Sequence, residues 1–270
     1  MRIPLCSFRA PLTALTLLLL PSLVLSGCAA PAPFYPSSIA SVSGNWQISA
    51  TPAAAPTLPS ISGALLGTGA SMTGILHSDS TSACVPPIKS FTVHGSTDVH
   101  DVTTLTGPLA GGTLTITGTL SNDARTLENA AYVVTGGSCA FVSNTPIHAT
   151  ALAYGPITGN YFGSFSDPDG HLIDVSASLA QSPASDPNGN FTLSGSGTFP
   201  SNPCFNSPVA VSNTQVTGGS FNLTYADAST TNSVAVAGTF TSDGTTLNVT
   251  NWTLTGPCGP DHGIGTLTKQ

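Results

Sequence analysis

The stretches "GTLSNDARTLENAAYVVTG" (118–136) and "GTFTSDGTTLNVTNWTLTG" (238–256) are two copies of one pattern, offset by 120 residues. Seven of the nineteen aligned positions are identical, and Tyr132 in the first copy aligns with Trp252 in the second. A match of this length at one fixed offset indicates an internal repeat. The chain therefore contains a duplicated domain.

Just before each copy and at its start, apolar residues alternate with small polar residues, a period that is typical of half-buried antiparallel strands. The segments "SNDA" and "TSDG" follow, and their Asp, Asn and Gly residues favour tight turns. The alternating apolar positions are Leu114, Ile116 and Leu120 in the first copy and Val234, Val236 and Phe240 in the second.

These patterns predict an all-β protein with two tandem antiparallel β-domains. Each repeat of roughly 110 residues has room for seven or eight short strands and one closed core. The chain has a single Glu, Glu128, and no segment with the apolar period of a helix. Period-two alternation suits both an up-and-down barrel and a sandwich, and both remain open.

The repeats open with Gly44-Asn45-Trp46 and, 115 residues later, with Gly159-Asn160-Tyr161. A Gly-x-Trp opening and an alternating final strand resemble the calycin barrels, which include lipocalins and avidins. The resemblance implies that the first and last strands of each domain pair. The chain has no evident match to the lipocalin arginine that packs on this tryptophan.

The beginning of the chain has the features of a secretory signal peptide. Arg2 and Arg9 precede an uncharged segment of sixteen residues, Ala10–Leu25, which is short for a membrane span of about 20 apolar residues. Leu25-Ser26-Gly27-Cys28 follows and resembles the lipobox of bacterial lipoproteins. An ordinary signal peptide with an incidental cysteine and a retained membrane helix are the alternatives.

The lipobox resemblance implies cleavage after Gly27, a diacylglyceryl group on the thiol of Cys28, and acylation of its new amine. Two or three acyl chains anchor a protein stably to a bilayer. Ala29 is not aspartate, which implies the outer membrane by the enterobacterial sorting rule. The predicted organisation is a signal peptide (1–27), a lipidated cysteine and tether (28–43), and β-domains at 44–155 and 156–270.

The composition excludes some partners. Beyond the predicted leader, three basic residues face twelve acidic residues, a net charge of −9. This sign argues against nucleic acid, which requires basic surfaces. Only 6% of the residues are charged, so Ser, Thr, Asn and Gly must supply most of the polar surface. The chain after the leader also resembles tandem-repeat lipoproteins of unknown function from bacterial envelopes.

Four cysteines remain once Cys6 is removed with the leader and Cys28 carries lipid. They allow three pairings. The duplication favours one disulfide in each repeat, Cys84–Cys139 and Cys204–Cys258, whose separations of 55 and 54 residues are nearly equal. An oxidising envelope compartment permits both, and each contributes about 4 kcal/mol in the loop-entropy model. The wide spacing argues against a zinc site.

Catalytic patterns are weak. The nucleophile-elbow pattern G-x-S-x-G is absent around Ser196, and no phosphate-binding loop is recognisable at 67–74. Asp98 with Asp101, and Asp167 with Asp169, are the candidate carboxylate pairs for glycoside cleavage. Asp167-Pro168-Asp169-Gly170 is more typical of a hairpin turn, with a calcium ligand as the alternative.

Two groups of histidines stand out. His94, Asp98 and His100 are weak candidates for a metal site, with a solvated loop as the more ordinary interpretation. His148 and His262 recur near the end of each repeat and are interpreted as hydrogen-bonded residues at a strand start. The aromatic residues Trp46, Tyr161 and Trp252 are expected in the cores rather than as sugar-stacking platforms.

The resulting hypothesis is a lipid-anchored envelope lipoprotein that acts without catalysis, as a binding or scaffold protein, and that needs no cofactor. Its partners would be the membrane, through the anchor, and an envelope protein or glycan. The alternatives are a carrier of small apolar ligands in a calycin-like interior and an envelope hydrolase. A transmembrane β-barrel is disfavoured because the strands are rich in Thr and lack aromatic girdles.

Overall fold

The computed structural model describes residues 40–51, 60–79, 90–137, 146–200, 202–206 and 208–270. Within these residues the chain forms sixteen β-strands, all in one compact unit that spans residues 35–270. Cys28 and the predicted Cys84–Cys139 disulfide lie outside the described residues.

The first eight strands form a closed antiparallel barrel, barrel 1, in which each strand pairs with the next and β1 pairs with β8. The strands are β1 (Gly44–Ala50), β2 (Ile61–Thr68), β3 (Ser71–Ser78), β4 (Ser90–Thr97), β5 (Val102–Leu109), β6 (Gly112–Leu120), β7 (Thr126–Thr135) and β8 (Ile147–Tyr154).

The remaining strands form barrel 2 with the same order, closed by pairing of β9 with β16. They are β9 (Gly159–Ser166), β10 (Leu172–Gln181), β11 (Leu193–Thr198), β12 (Val209–Thr217), β13 (Ser220–Ala226), β14 (Ser233–Phe240), β15 (Thr246–Thr255) and β16 (Asp261–Lys269). In each barrel we call the end at which the first strand begins the entry end.

The predicted all-β class with two tandem antiparallel domains is confirmed, and the domains are up-and-down barrels rather than sandwiches. Closure joins equivalent positions of the repeats: Trp46 on β1 pairs with Ala153, and Tyr161 on β9 pairs with Lys269. Pairing of the first and last strands leaves neither sheet with an open edge.

The duplicated stretches that opened the sequence analysis form equivalent hairpins. Asp123 accepts hydrogen bonds from the Ser121 hydroxyl (2.6 Å) and the Arg125 amide (3.1 Å) in the β6–β7 turn. Asp243 accepts the same two bonds from Thr241 and Thr245 in the β14–β15 turn. Ladder bulges also fall at equivalent places, between Thr117 and Thr119 and between Ala237 and Gly238.

Inward side chains fill both barrels. In barrel 1 the largest are Trp46, whose indole N–H donates to the Val42 carbonyl at 2.8 Å, and Tyr132. In barrel 2 Trp252 stacks on Phe165 with ring centroids 5.7 Å apart, and Tyr161 donates to the Gly244 carbonyl at 2.6 Å. An eight-stranded barrel is just wide enough for side chains of this size to fill it.

The end of barrel 2 opposite its entry end carries the Cys204–Cys258 disulfide, with 5.9 Å between the Cα atoms. Asn232 links the loops of the two cysteines: its side chain donates to the Cys204 carbonyl at 2.7 Å and accepts from the Cys258 amide at 3.1 Å. The predicted disulfide of the second repeat is therefore present. Hydrogen bonds from Ser229 and the Asn206 amide lower the pKa of Asp227 at the same end.

The identical residues of the repeat provide a test of the packed interiors. Leu247→Ala removes a buried side chain, and we expect the free energy of unfolding of barrel 2 to fall by about 2–5 kcal/mol. Guanidinium unfolding followed by circular dichroism measures the change. Asn248→Ala, on the outward face of the same strand, is the control and should stay within about 0.5 kcal/mol of the parent. Equal stabilities of the two variants would contradict a packed interior.

Candidate functional site

The junction between the barrels contains several buried polar side chains whose burial the sequence did not predict. We call the outward residues Asn45, Gln47, Ser62, Ala64 and His77 of β1–β3 the docking wall. The docking end consists of loops at the entry end of barrel 2, around 186–189, 217–219 and 242–244. Asn45, Ser62 and His77 are only 1%, 0% and 5% exposed although they face outward from barrel 1.

An asparagine pairs with a glycine backbone at the centre of the junction. Asn45 donates its side-chain N–H to the Gly218 carbonyl at 2.7 Å and accepts the Gly218 amide at 2.7 Å. The Gly219 amide donates to Gln47 at 3.1 Å. Gly218 has φ +50°, and a Cβ there would lie 3.0 Å from the Gln47 Cβ and 3.1 Å from the Ser62 Cβ. The close approach of the two barrels therefore requires glycine at this turn.

Apolar contacts accompany these hydrogen bonds. Ala64 lies on β2 of barrel 1 but packs within the core cluster of barrel 2. Tyr154, at the end of β8, meets Phe240 edge to face with ring centroids 5.3 Å apart. The Gly155 amide donates to the Ser242 carbonyl at 2.7 Å. The junction thus combines apolar burial with paired polar groups, as a stable internal interface requires.

His77 forms a second polar cluster in the junction. Its Nδ1 donates to the Asn188 carbonyl at 3.0 Å, and its Nε2 lies 3.4 Å from Asp79 and 3.2 Å from the Thr217 hydroxyl. The Ser62 hydroxyl donates to Asp79 at 2.5 Å. Burial alone lowers the pKa of His77, but the hydrogen bond and charge of Asp79, the Asn188 carbonyl and the charge of Asp186 outweigh it, so the pKa is raised.

Ser62, His77 and Asp79 have the residue types of a hydrolytic triad but not its arrangement. In a triad the serine and the carboxylate lie on opposite ring nitrogens of the histidine. Here both approach Nε2, and Nδ1 is used by a backbone carbonyl. Ser62 is also fully buried. The cluster therefore joins the barrels and offers no accessible nucleophile.

A groove of about 430 Å³ opens beside the docking wall, where the chain enters barrel 1. We call it the junction groove. Arg125 lines it, is exposed, and forms no salt bridge with an acidic side chain in the part of the chain that the structure describes. The other residues lining the groove are Ser41, Ser43, Gly44, Asn45, Asp123, Ala124, Ala153, Tyr154, Gly155, Pro156, Gln181, Ser182, Pro183 and Phe191.

The candidate metal residues are not brought together. His94 lies on β4, while Asp98 and His100 lie in the β4–β5 turn, where Asp98 accepts the His100 and Val102 amides at 2.8 and 3.0 Å. These bonds lower the pKa of Asp98. The three residues do not form a cluster of metal-ligand geometry; within the described ranges the one such cluster is Asp167, Asp169 and His171.

That cluster belongs to the β9–β10 turn. The Asp167 carbonyl accepts the Gly170 amide at 3.1 Å, and its carboxylate accepts the His171 amide at 2.8 Å and ring nitrogen at 2.7 Å. Asp167-Pro168-Asp169-Gly170 is thus a hairpin turn. The hydrogen bond that the His171 ring donates to Asp167 raises the pKa of His171. Asp167 and His171 of this cluster are thus hydrogen-bonded to each other, as in an ordinary turn.

The other residues singled out in the sequence lie at strand starts, in the barrel cores or in a turn. His148 and His262 are exposed residues near the starts of β8 and β16. Trp46, Tyr161 and Trp252 are core residues and are at most 1% exposed. The carboxylates of Asp98 and Asp101 lie in the same β4–β5 turn.

Sequence reasoning missed Gln47, Ser62 and His77. One signal was available in β2, where Ile61 to Leu65 lack the polar alternation of a one-sided strand, and all five residues are buried. A strand that is covered on both faces loses its alternation. The covering element could not be identified from that signal alone.

No protein-family model matches this chain, and no curated protein and no solved structure matches it either. In the described part of the chain, no helix is long and apolar enough to span a bilayer.

The Asn45–Gly218 pair generates a prediction. Asn45→Ala leaves the buried N–H and C=O of Gly218 without partners, and we expect the free energy of unfolding to fall by about 1–3 kcal/mol. Asn160→Ala is the matched control because Asn160 is the exposed counterpart in barrel 2 and should change stability by less than about 0.5 kcal/mol. Chemical denaturation compares the two. Equal losses would contradict the role assigned to Asn45.

The raised pKa of His77 predicts a pH dependence. Because the folded-state pKa lies above the unfolded value of 6.5, the contribution of His77 is complete below pH 6.5 and is lost as the pH rises through the folded pKa. Unfolding measured from pH 5 to 9 should show this loss in the parent and not in His77→Gln. His148→Gln, an exposed control, should keep the parental profile. A parental slope in His77→Gln would refute the assignment.

Proposed function

We propose that this protein is a lipid-anchored lipoprotein of the bacterial envelope, attached through Cys28 and directed to the outer membrane. Its two barrels act together as a non-catalytic binding or scaffold module. The observation that carries the second part is that each barrel is closed and filled by its own side chains, so partners must be met on the outer walls and ends.

The anchor is supported by the Leu25-Ser26-Gly27-Cys28 motif and by the distance from it to the barrels. Eleven residues lie between Cys28 and Ala40, where the described chain begins. A chain of this length, with Pro31, Pro33 and Pro36, reaches at most about 40 Å. The anchor would therefore keep the double barrel close to the bilayer surface.

The roles of the titratable groups support binding rather than catalysis. Hydroxyl groups of Ser121 and Thr241, followed by turn amides, hold the pKa of Asp123 and Asp243 below the usual value, at about 2 for Asp243. Turn amides lower the pKa of Asp98. His77 is committed to the junction. An enzyme site needs accessible groups that converge on one substrate position. These three carboxylates instead stabilise the turns that carry them.

A carrier of apolar ligands is less well supported. Such a carrier needs an interior cavity lined by apolar residues. Among the described residues, the interior positions are occupied by large side chains such as Trp46, Tyr132 and Trp252. The grooves that described residues line are open to solvent.

The junction groove is the best candidate for partner contact. It combines the cation of Arg125 with the amide of Gln181 and the hydroxyl of Tyr154, which suit the polar groups of an envelope glycan or protein. Ser41 and Ser43 also line it, so the groove lies where the tether joins barrel 1. A partner bound there would be held near the membrane.

Replacement of the lipobox cysteine tests the anchor. In a bacterial host the parent should fractionate with membranes and show the mass of residues 28–270 plus acyl groups. Cys28→Ala should lose the acyl mass and the cleavage that depends on it, because no thiol is available for the thioether. Cys6→Ala, within the predicted leader, is the control and should behave as the parent. Membrane association and mass that are unchanged in Cys28→Ala would refute the proposal.

A further inference from the structure

The junction is a heterologous contact: a wall of barrel 1 meets an end of barrel 2, and the two surfaces differ. Because the barrels are copies of one another, barrel 2 has a wall equivalent to the docking wall, and barrel 1 has an end equivalent to the docking end. One of each therefore has no partner within the chain. Heterologous contacts of this kind can repeat from one molecule to the next.

The unpartnered wall lies on β9 and β10. Asn160 and Phe162 are the counterparts of Asn45 and Gln47, since Asn45-Trp46 aligns with Asn160-Tyr161. Phe162 is 50% exposed, with Ser176 and Thr268 opposite it on the neighbouring strands. We call this surface the free wall. Phenylalanine is enriched in protein–protein interfaces, and it stands here where the docking wall has Gln47.

The unpartnered end is the β4–β5 turn, Asp98–Asp101, which corresponds to the β12–β13 turn that carries Gly218. We call this turn the free end. Val99 lies at its tip and is 85% exposed, the highest value among the exposed large apolar residues in the described ranges. Asp98 fixes the turn through the His100 and Val102 amides. Val99 is therefore exposed at the tip of a hydrogen-bonded turn.

The free wall and the free end both differ from their counterparts in the internal junction, and the changes on one surface correspond to the changes on the other. Where the junction pairs Gln47 with the glycine turn, the free surfaces offer Phe162 and Val99, an apolar pair in place of a polar pair. Ladder registers place Thr198 at the position of His77. His77 contacts Asn188 in the β10–β11 loop of barrel 2. The counterpart of that loop in barrel 1 is the short turn between Thr68 and Ser71. Both halves of the histidine contact are absent together.

We propose that the free end of one molecule docks on the free wall of a second copy, with Val99 against Phe162, in the wall-to-end orientation of the internal junction but at a wider separation, because Asp98–Asp101 contains no glycine. The chains then associate head to tail into open arrays. Such a contact brings the C-terminal end of β16 in one copy next to the start of β1 in the following copy. Within one chain, the end of β8 lies next to the start of β9 in the same way. This association does not depend on the proposed lipid anchor.

Sedimentation velocity of the full mature chain in mild detergent tests the proposal. The parent should form a concentration-dependent series of dimers and longer oligomers. Phe162→Gln introduces the residue type that Gln47 provides in the docking wall. Phe162→Gln and Val99→Ser should each raise the dissociation constant by about tenfold or more. Leu66→Gln, at another exposed apolar position, is the control and should associate as the parent does. Circular dichroism should show that all variants are folded.

Mixing the variants separates this contact from other modes of association. Phe162→Gln keeps an intact free end, and Val99→Ser keeps an intact free wall, so an equimolar mixture should form dimers but no longer oligomers. A symmetric contact between two free walls would instead let Val99→Ser dimerise alone. That result, or a parent that stays monomeric at all concentrations, would overturn the proposal.

Discussion

Pairing of the first strand with the last strand is the constraint on which the rest of this structure depends. Once β1 bonds to β8 and β9 bonds to β16, neither sheet has a free edge for another strand. The inward face of each ring is then filled by its own large side chains. Any contact with another molecule, or between the two barrels, must use an outer wall or an end.

The junction shows how the duplicated barrels use such surfaces. Both copies retain the asparagine of the opening motif, but only Asn45 is buried, because only its wall meets the docking end. Asn160 lies at the same place in the second ring and is exposed. The same residue type thus has different energetic roles in two copies of one fold. Closure and core packing are shared by the repeats, while the outer surfaces have diverged.

The sequence was sufficient for the fold class because strand period, turn residues and repeat offset are local properties. It predicted the β6–β7 and β14–β15 hairpins, the aromatic core residues and the Cys204–Cys258 disulfide. Barrel and sandwich could not be distinguished, since half-buried strands alternate in the same way in both. The resemblance to calycins implied the pairing that decides between them.

The junction was not predictable for a different reason. Burial of an outward residue such as Ser62 or His77 depends on which surface of the second barrel covers it, and this information is not local in the sequence. Asp98 and His100 were weak candidates for a metal site, but the chain turns there and Asp98 binds backbone amides instead. Residues in turns therefore do not follow the period-two rule that served for the strands.

The central claim is that the two closed barrels are joined into one body by a wall meeting an end. Hydrogen exchange at the Gly218 amide, followed by nuclear magnetic resonance, tests it most directly, because this amide lies in a turn and its acceptor is the side chain of the other barrel. The account predicts that it exchanges as slowly as amides within the β12–β13 ladder. Exchange at the rate of an unprotected turn amide would show that the barrels are not joined in this way.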